Sequence, residues 1–289
     1  MLCSRTSGHV NWPRVTDVSE LVGELVDAGL PVREARWLVQ EFRPGTDPDA
    51  VVALRSAARR RLAGEPLQYI LGHWPFRTLD LDVDARVLIP RPETEELVEV
   101  ALRELSAGGA TAPLIVDLGC GSGAIGLSLL DELRSRGIVG SLVALDASLD
   151  ALAVARRNAA KHELVTVTFV HSSWYDNLDA TMAGHVDLIV ANPPYVGAVE
   201  FEELDPVLRH EPRGAIVAPD TSDTVGFADM ATVIAGAPAW LAARGVLVCE
   251  HANVHRAAAL RAARDAGFID AQDLDDMSGR PRILVARRS

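Results

Sequence analysis

Asn192, Pro193, Pro194 and Tyr195 stand directly after the apolar run Val186–Ala191. A carboxamide offers one acceptor and two donors. Two prolines fix φ and contribute carbonyls without N–H groups of their own. The tyrosine ring adds a flat wall with a polar tip. Together these groups can grip a planar nitrogen that carries two hydrogens. The same residues also punctuate an ordinary strand-to-loop turn, so the tetrad needs a companion.

The companion lies upstream. Asp117, Gly119, Cys120, Gly121, Ser122 and Gly123 form a glycine-rich stretch between the apolar residues 114–116 and the periodic apolar set Ile125, Leu127, Leu129, Leu130 and Leu133. This pattern predicts strand, loop, helix, with glycines that let a ligand lie against backbone. Residues 141–146 predict a second strand ending in Asp146, an acid placed to accept both hydroxyls of a ribose. Gly121-x-Gly123-x-x-Gly126 also satisfies a dinucleotide fingerprint. Three features favour S-adenosylmethionine over a nicotinamide. Asp117 precedes the first glycine by two residues, within reach of a cationic methionine moiety. The loop has the extended Asp-x-Gly-x-Gly-x-Gly form. The tetrad has no role in hydride transfer.

Composition narrows the field. The chain has 289 residues, 48% hydrophobic and 24% charged, with a net charge of −12. That argues against a broad phosphate-binding surface, so no direct nucleic-acid partner is expected. Cys3, Cys120 and Cys249 are too far apart for a metal knuckle or a disulfide framework. Cys120 is expected to be a small residue that fits its loop rather than a nucleophile. His73, His171, His210 and His251 lack ligand spacing, so no metal is expected. No apolar run reaches membrane-span length and residues 1–12 carry no signal-peptide core, which leads to a cytoplasmic expectation.

The elements that must position these groups follow from periodicity. Val18, Leu21, Val22, Leu25 and Val26 predict a helix opened by a capping box at Asp17 and Glu20. Gly29 and Pro31 separate it from a second helix with Ala35, Leu38, Val39 and Phe42 inward. After a loop at 44–48 comes a third helix over 49–63, whose Arg59, Arg60 and Arg61 are expected to form a solvated face. Alternation over 79–83 predicts a strand, paired with a second at 87–89 in a hairpin. Beyond residue 93, seven strands near 114–118, 141–146, 165–170, 186–191, 244–250, 268–274 and 282–287 alternate with helices such as 148–161. That order implies a mostly parallel sheet covered on both faces. The expected division is a helical domain at 1–76, a hairpin linker at 77–92 and a ligand-binding domain at 93–289.

Five segments resemble the release factor glutamine methyltransferases. They are Gly64-Glu65-Pro66-Leu67-Gln68-Tyr69-Ile70-Leu71-Gly72, Leu88-Ile89-Pro90-Arg91-Pro92-Glu93-Thr94-Glu95, the glycine loop, the tetrad, and His210-Glu211-Pro212-Arg213. The tetrad is shared with enzymes that methylate the exocyclic amine of adenine, which is the alternative activity. The Ile-Pro-Arg-Pro-Glu-Thr-Glu segment favours the glutamine-modifying group. The resemblance implies a Rossmann-like class I methyltransferase fold with S-adenosylmethionine as donor. It also implies a protein substrate, the glutamine of a Gly-Gly-Gln loop in a release factor, which the N-terminal helices would help to recognise. In this family Gly119, Cys120, Gly121, Ser122, Gly123, Asp146 and Trp174 would contact the donor. Asn192, Pro193, Pro194 and Tyr195 would hold the amide, with Asn192 bridging donor and substrate. The chain departs from the family pattern at Ser172-Ser173, where an acid usually precedes the aromatic, at 251–255 and at 218–223.

Overall fold

The computed structural model describes residues 17–44 and 47–289. Cys3, residues 1–12, and Gly45 and Thr46 of the expected loop lie outside the described residues. The chain divides into two compact units, Met1–Leu71 and Gly72–Ser289.

The first unit is helical. α1 (Val18–Asp27) is capped by Asp17, whose carboxylate accepts from Ser19 N at 3.0 Å. α2 (Val32–Phe42), α3 (Pro48–Leu62) and α4 (Leu67–Leu71) follow. Asp47 caps α3, and Pro48 starts it where a missing N–H costs nothing. Leu21, Leu25, Leu38, Leu54 and Ala58 form the core. The arginine run on α3 differs from a merely solvated face. Arg61 pairs with Glu34 of α2 at 2.6 Å, and Arg60 pairs with Glu65. One turn earlier, Arg55 pairs with Glu24 of α1 at 2.8 Å. The i, i+3 and i+4 rows of α3 thereby meet both neighbouring helices.

The second unit opens with an antiparallel hairpin, β1 (His73–Phe76) and β2 (Leu79–Asp82). The partner of β2 is thus the segment before it, and the expected strand at 87–89 is absent. Pro90 and Pro92 interrupt the donors of a ladder there, and Ile89 N is taken instead by Glu211 Oε2 at 2.9 Å. α5 (Thr94–Gly108) then leads into a seven-stranded sheet. Its strands are β3 (Leu114–Leu118), β4 (Ser141–Asp146), β5 (Val167–His171), β6 (Val186–Ala191), β7 (Leu241–Glu250), β8 (Asp270–Asp275) and β9 (Pro281–Arg287). The spatial order is β5-β4-β3-β6-β7-β9-β8. The five strands from β5 to β7 run parallel, and β9 pairs antiparallel with both β7 and β8.

Helices α6 (Ala124–Ser135), α7 (Leu149–Lys161), α8 (Ala198–Glu203), α9 (Ala228–Trp240) and α10 (Arg256–Asp265) complete the unit. Successive strand residues enter opposite cores. Ile115, Leu142 and Leu188 pack with α5 and α6, while Val116, Val143 and Ile189 pack with α9 and α10. Double-sided burial explains why these strands read as continuous apolar runs rather than alternating ones.

Candidate active site

Register places the chemistry at the carboxyl ends of the central parallel strands. Leu118 pairs with Leu145 on one side and with Ala191 on the other. The glycine loop, Asp146 and Asn192 therefore leave the sheet at one level. Strand order also reverses at β3, with β4 on one side and β6 on the other. Open α/β sheets bind ligands in the crevice at such a point.

A cavity of about 520 Å³ occupies that crevice, lined in part by Gly119, Gly121, Asp146, Trp174, Asn192 and Pro194. Gly119 N and Cys120 N both donate to Leu145 O at 2.9 Å, which curls the loop over β4. Gly121 has φ +56°, and a Cβ built there meets nothing within 4 Å, so the bare backbone faces open space. Asp146 accepts from Gly121 N at 2.9 Å and from Ser148 N at 2.8 Å, one bond on each oxygen. Burial raises its pKa, and the two N–H bonds oppose that rise. Ser148 also caps α7 through Ala151 N. Asp146 therefore both braces its loop and keeps unused acceptor positions on the cavity wall.

Trp174 sits in the left-handed region at φ +44°. Its ring lies 3.6 Å from a Cβ built on Gly119. The turn is held by Ser172, whose hydroxyl donates to Trp174 O at 3.0 Å and accepts from Asn177 N at 3.0 Å. The Trp174 side chain also hydrogen-bonds Asp229, on the same cavity wall.

Four residues of the glycine stretch lie behind that wall rather than on it: Asp117, Cys120, Ser122 and Gly123. Asp117 is fully buried, and its Oδ2 accepts from Gly126 N at 2.9 Å at the start of α6. Its Oδ1 has no partner among the described residues. Burial, with the Asp146 charge adding to it, pushes the Asp117 pKa up to about 7. Burial also pushes the Cys120 thiol well above its ordinary value, which leaves it a poor nucleophile.

A smaller cavity of about 270 Å³ is lined by Arg91, Pro193, Tyr195, Leu208 and Ile216 among others. The two cavities share Leu88, Asn192, Pro194 and Ala215 as a common wall. Asn192 Nδ2 donates to Thr94 Oγ1 at 3.3 Å. Burial and the nearby Glu250 carboxylate push the Tyr195 phenol up to about 12, so it stays protonated near neutral pH. Glu211, its carboxylate buried, bonds Arg91 Nη2 at 2.5 Å as well as Ile89 N, and so fixes the strap of residues 88–91, whose Leu88 belongs to the shared wall.

Residues that periodicity did not single out complete the site. Asn158 of α7 accepts from Asp82 N at 2.7 Å and donates to Ser122 O at 2.8 Å, tying the glycine loop to the hairpin. A lone asparagine between Ala155 and Ala159 on an inward helix face was the available signal. Thr94, Glu250 and Asp229 come from three separate segments, and no role was expected of any of them, although Thr94 lies in the Ile-Pro-Arg-Pro-Glu-Thr-Glu segment. No group of three or more His, Cys, Asp or Glu among the described residues could hold a metal ion. No helix among them is long and apolar enough to cross a membrane.

Residues 94–204 match the family model described as Methyltransferase small domain. The release factor glutamine methyltransferase of Bordetella pertussis is 38% identical over 277 residues, covering 90% of this chain and 96% of that protein. That of Chlorobaculum tepidum is 42% identical over 241 residues, covering 80% and 78% respectively. Among solved structures, the T. thermophilus 16S rRNA N2 G1207 methyltransferase in complex with AdoMet and guanosine aligns with a TM-score of 0.54 at 17% identity. That alignment covers 75% of this chain and 50% of that one. The hMettl16 catalytic domain aligns with a TM-score of 0.54 at 15% identity, covering 84% and 80%. At such identities the structural likeness shows the fold alone.

Proposed function

The chain belongs to the release factor glutamine methyltransferase family, and on that premise we propose that its two cavities hold donor and acceptor on either side of Asn192. It is an S-adenosylmethionine-dependent methyltransferase that modifies the side-chain amide nitrogen of a glutamine in a release factor. We assign the target to the glutamine of the Gly-Gly-Gln loop. We further assign recognition of the rest of that protein to the helical N-terminal segment, as the family resemblance implies.

The residues of the larger cavity fit the donor. Its volume falls in the usual range for cofactor sites. Asp146 holds one backbone N–H per oxygen and keeps acceptor positions for two adjacent hydroxyls. The Trp174 ring offers a flat face, and Gly119 and Gly121 let a ligand approach the backbone. When bound, S-adenosylmethionine supplies an electrophilic methyl group on a sulfonium.

An amide nitrogen is a weak nucleophile because its lone pair is delocalised into the carbonyl. The protein must therefore orient it and favour the charge that develops on it. Asn192 Oδ1 and the Pro193 carbonyl accept the two N–H bonds of the target amide, which aims the nitrogen across the shared wall. Tyr195, kept neutral by burial, serves as the flat face against the amide plane rather than as a base. An acid or ester in place of the amide leaves both acceptors unpaired, at about 1–3 kcal/mol each.

The observation that carries this assignment is the common wall of the two cavities at Asn192. Mass spectrometry of a release factor incubated with enzyme and isotopically labelled donor should show one added methyl on the Gly-Gly-Gln glutamine. With Asn192→Ala, kcat should fall by about 10²–10³, while donor affinity changes far less. A methyl on another residue overturns the target, and equal losses in kcat and donor affinity overturn the role of Asn192.

A further inference from the structure

We propose that Thr94 and Glu250 are positioning residues that dictate which end of the Asn192 carboxamide faces the substrate. The inference rests on the assignment of Asn192 as the amide-gripping residue. Asn192 and Glu250 leave neighbouring strands at the same level, since Ala191 pairs with Cys249 in the parallel register of β6 and β7. Thr94, the first residue of α5, stands against both. It is buried, takes a hydrogen bond from Asn192 Nδ2 at 3.3 Å, and hydrogen-bonds the Glu250 carboxylate.

Polarity runs one way along this chain. An ionised carboxylate only accepts. Burial raises the Glu250 pKa, and the Thr94 hydrogen bond opposes that rise by favouring the charged form. With Glu250 ionised, the single Thr94 hydroxyl proton goes to it, and the threonine has only lone pairs left for Asn192. Only the NH₂ end of the carboxamide can meet them. Oδ1 is then held at the opposite end of the planar group, free to accept from a substrate N–H. Reversing the amide would set Oδ1 against a lone pair and present donors to a substrate that itself brings donors.

Glu250 is suited to be the fixed end. It is 1% exposed, and its Oε2 has no hydrogen-bond partner among the described residues. Burial raises its pKa, with Glu93 adding to the rise, while the Thr94 hydrogen bond and the charges of Arg282 and His251 oppose it. A buried acceptor left this incompletely satisfied is costly unless it has a task. Holding the proton of Thr94 is such a task.

The test is a set of variants assayed on a release factor with S-adenosylmethionine. Thr94→Val keeps the shape of the side chain and removes the hydroxyl. It should lower kcat about tenfold, because an unpaired NH₂ against a methyl group favours the reversed amide. KM for the release factor and the donor dissociation constant should stay within about threefold of wild type. Thr94→Ser restores the hydroxyl and should recover most of the lost kcat. Glu250→Gln should also lower kcat, and the Thr94→Val/Glu250→Gln double variant should be no slower than Thr94→Val alone. Wild-type kcat in Thr94→Val, or no recovery in Thr94→Ser, overturns the proposal. Unchanged kcat in Glu250→Gln, or additive losses in the double variant, removes Glu250 from it. Asn192→Ala is run beside them. Full activity there sinks the site assignment itself, whereas an inactive Asn192→Ala beside a wild-type-like Thr94→Val sinks only the positioning.

Discussion

The two cavities that meet at Asn192 are built in different ways. The larger one is mostly backbone: curled glycines, strand ends in register, and one carboxylate that braces the loop it serves. The smaller one is assembled from side chains of remote segments, with Arg91 and Glu211 clamping a strap and Thr94 touching Asn192. A backbone wall depends on glycines at positive φ and on main-chain hydrogen bonds, which hold a ligand's shape and position. A wall of side chains depends on each identity. Losses on the donor side should therefore appear as affinity, and losses on the acceptor side as turnover.

The largest expected effect tests that division directly. Asp146→Ala removes the acceptors assigned to a ribose, and hydrogen bonds to a charged group contribute about 1.5–3 kcal/mol each. Donor affinity, measured by calorimetry, should fall by roughly 10²-fold or more, with kcat at saturating donor within a few-fold of wild type. Asn192→Ala should show the reverse split. If both variants lose affinity and turnover in equal proportion, the two cavities work as one and the contrast fails.

A second, smaller effect concerns what lies behind the donor wall. Asp117 holds Gly126 N from full burial, with its pKa pushed up from 3.8 to about 7. A carboxyl raised in this way favours folding while protonated. Its contribution is complete below about pH 4 and is lost as pH rises through about 7. The displacement corresponds at face value to about 4 kcal/mol, and relaxation of the interior lowers that to a few. Asp117→Asn stays neutral at every pH. The melting temperature of this variant relative to wild type should rise steadily between pH 4 and pH 7 without donor. A flat difference would mean that the wild-type group remains ionised throughout.

How much of this was legible in the sequence follows the same division. The glycine loop, Asp146 and the tetrad lie in contiguous stretches, and apolar runs placed each at a strand end. The seven expected strands follow from that alternation, whereas their spatial order, with β9 inserted antiparallel between β7 and β8, had no signal in it. The hairpin partner was not legible either, because short strands are chosen by pairing, and 73–76 carries a proline that weakens its strand signal. Asn192 and Glu250 lie on separate strands that only the register of β6 and β7 brings level, and Thr94 reaches them from the start of α5, more than half the chain away from Glu250. The α3 arginines looked like a charged face because nothing local announces Glu34 and Glu65 as partners.

The smallest expected effect concerns Ser172, two residues before Trp174. Trp174 has φ +44°, a conformation that a bulky residue adopts only when its surroundings hold it there. Two hydrogen bonds of Ser172 do so, one to Trp174 O and one from Asn177 N, each at 3.0 Å. An acid at this position would accept from Asn177 but, when ionised, could not donate to Trp174 O. The hydroxyl performs both tasks in a buried corner. Ser172→Ala leaves both groups unpaired, at about 1 kcal/mol for a typical bond. Donor affinity should fall about fivefold as the indole loosens against Gly119, while kcat at saturation holds. Ser172→Asp should fare no better than alanine, because it repairs one bond of the two and adds a charge near Asp146. Should the alanine variant bind donor as tightly as wild type, Ser172 would not be the support for Trp174.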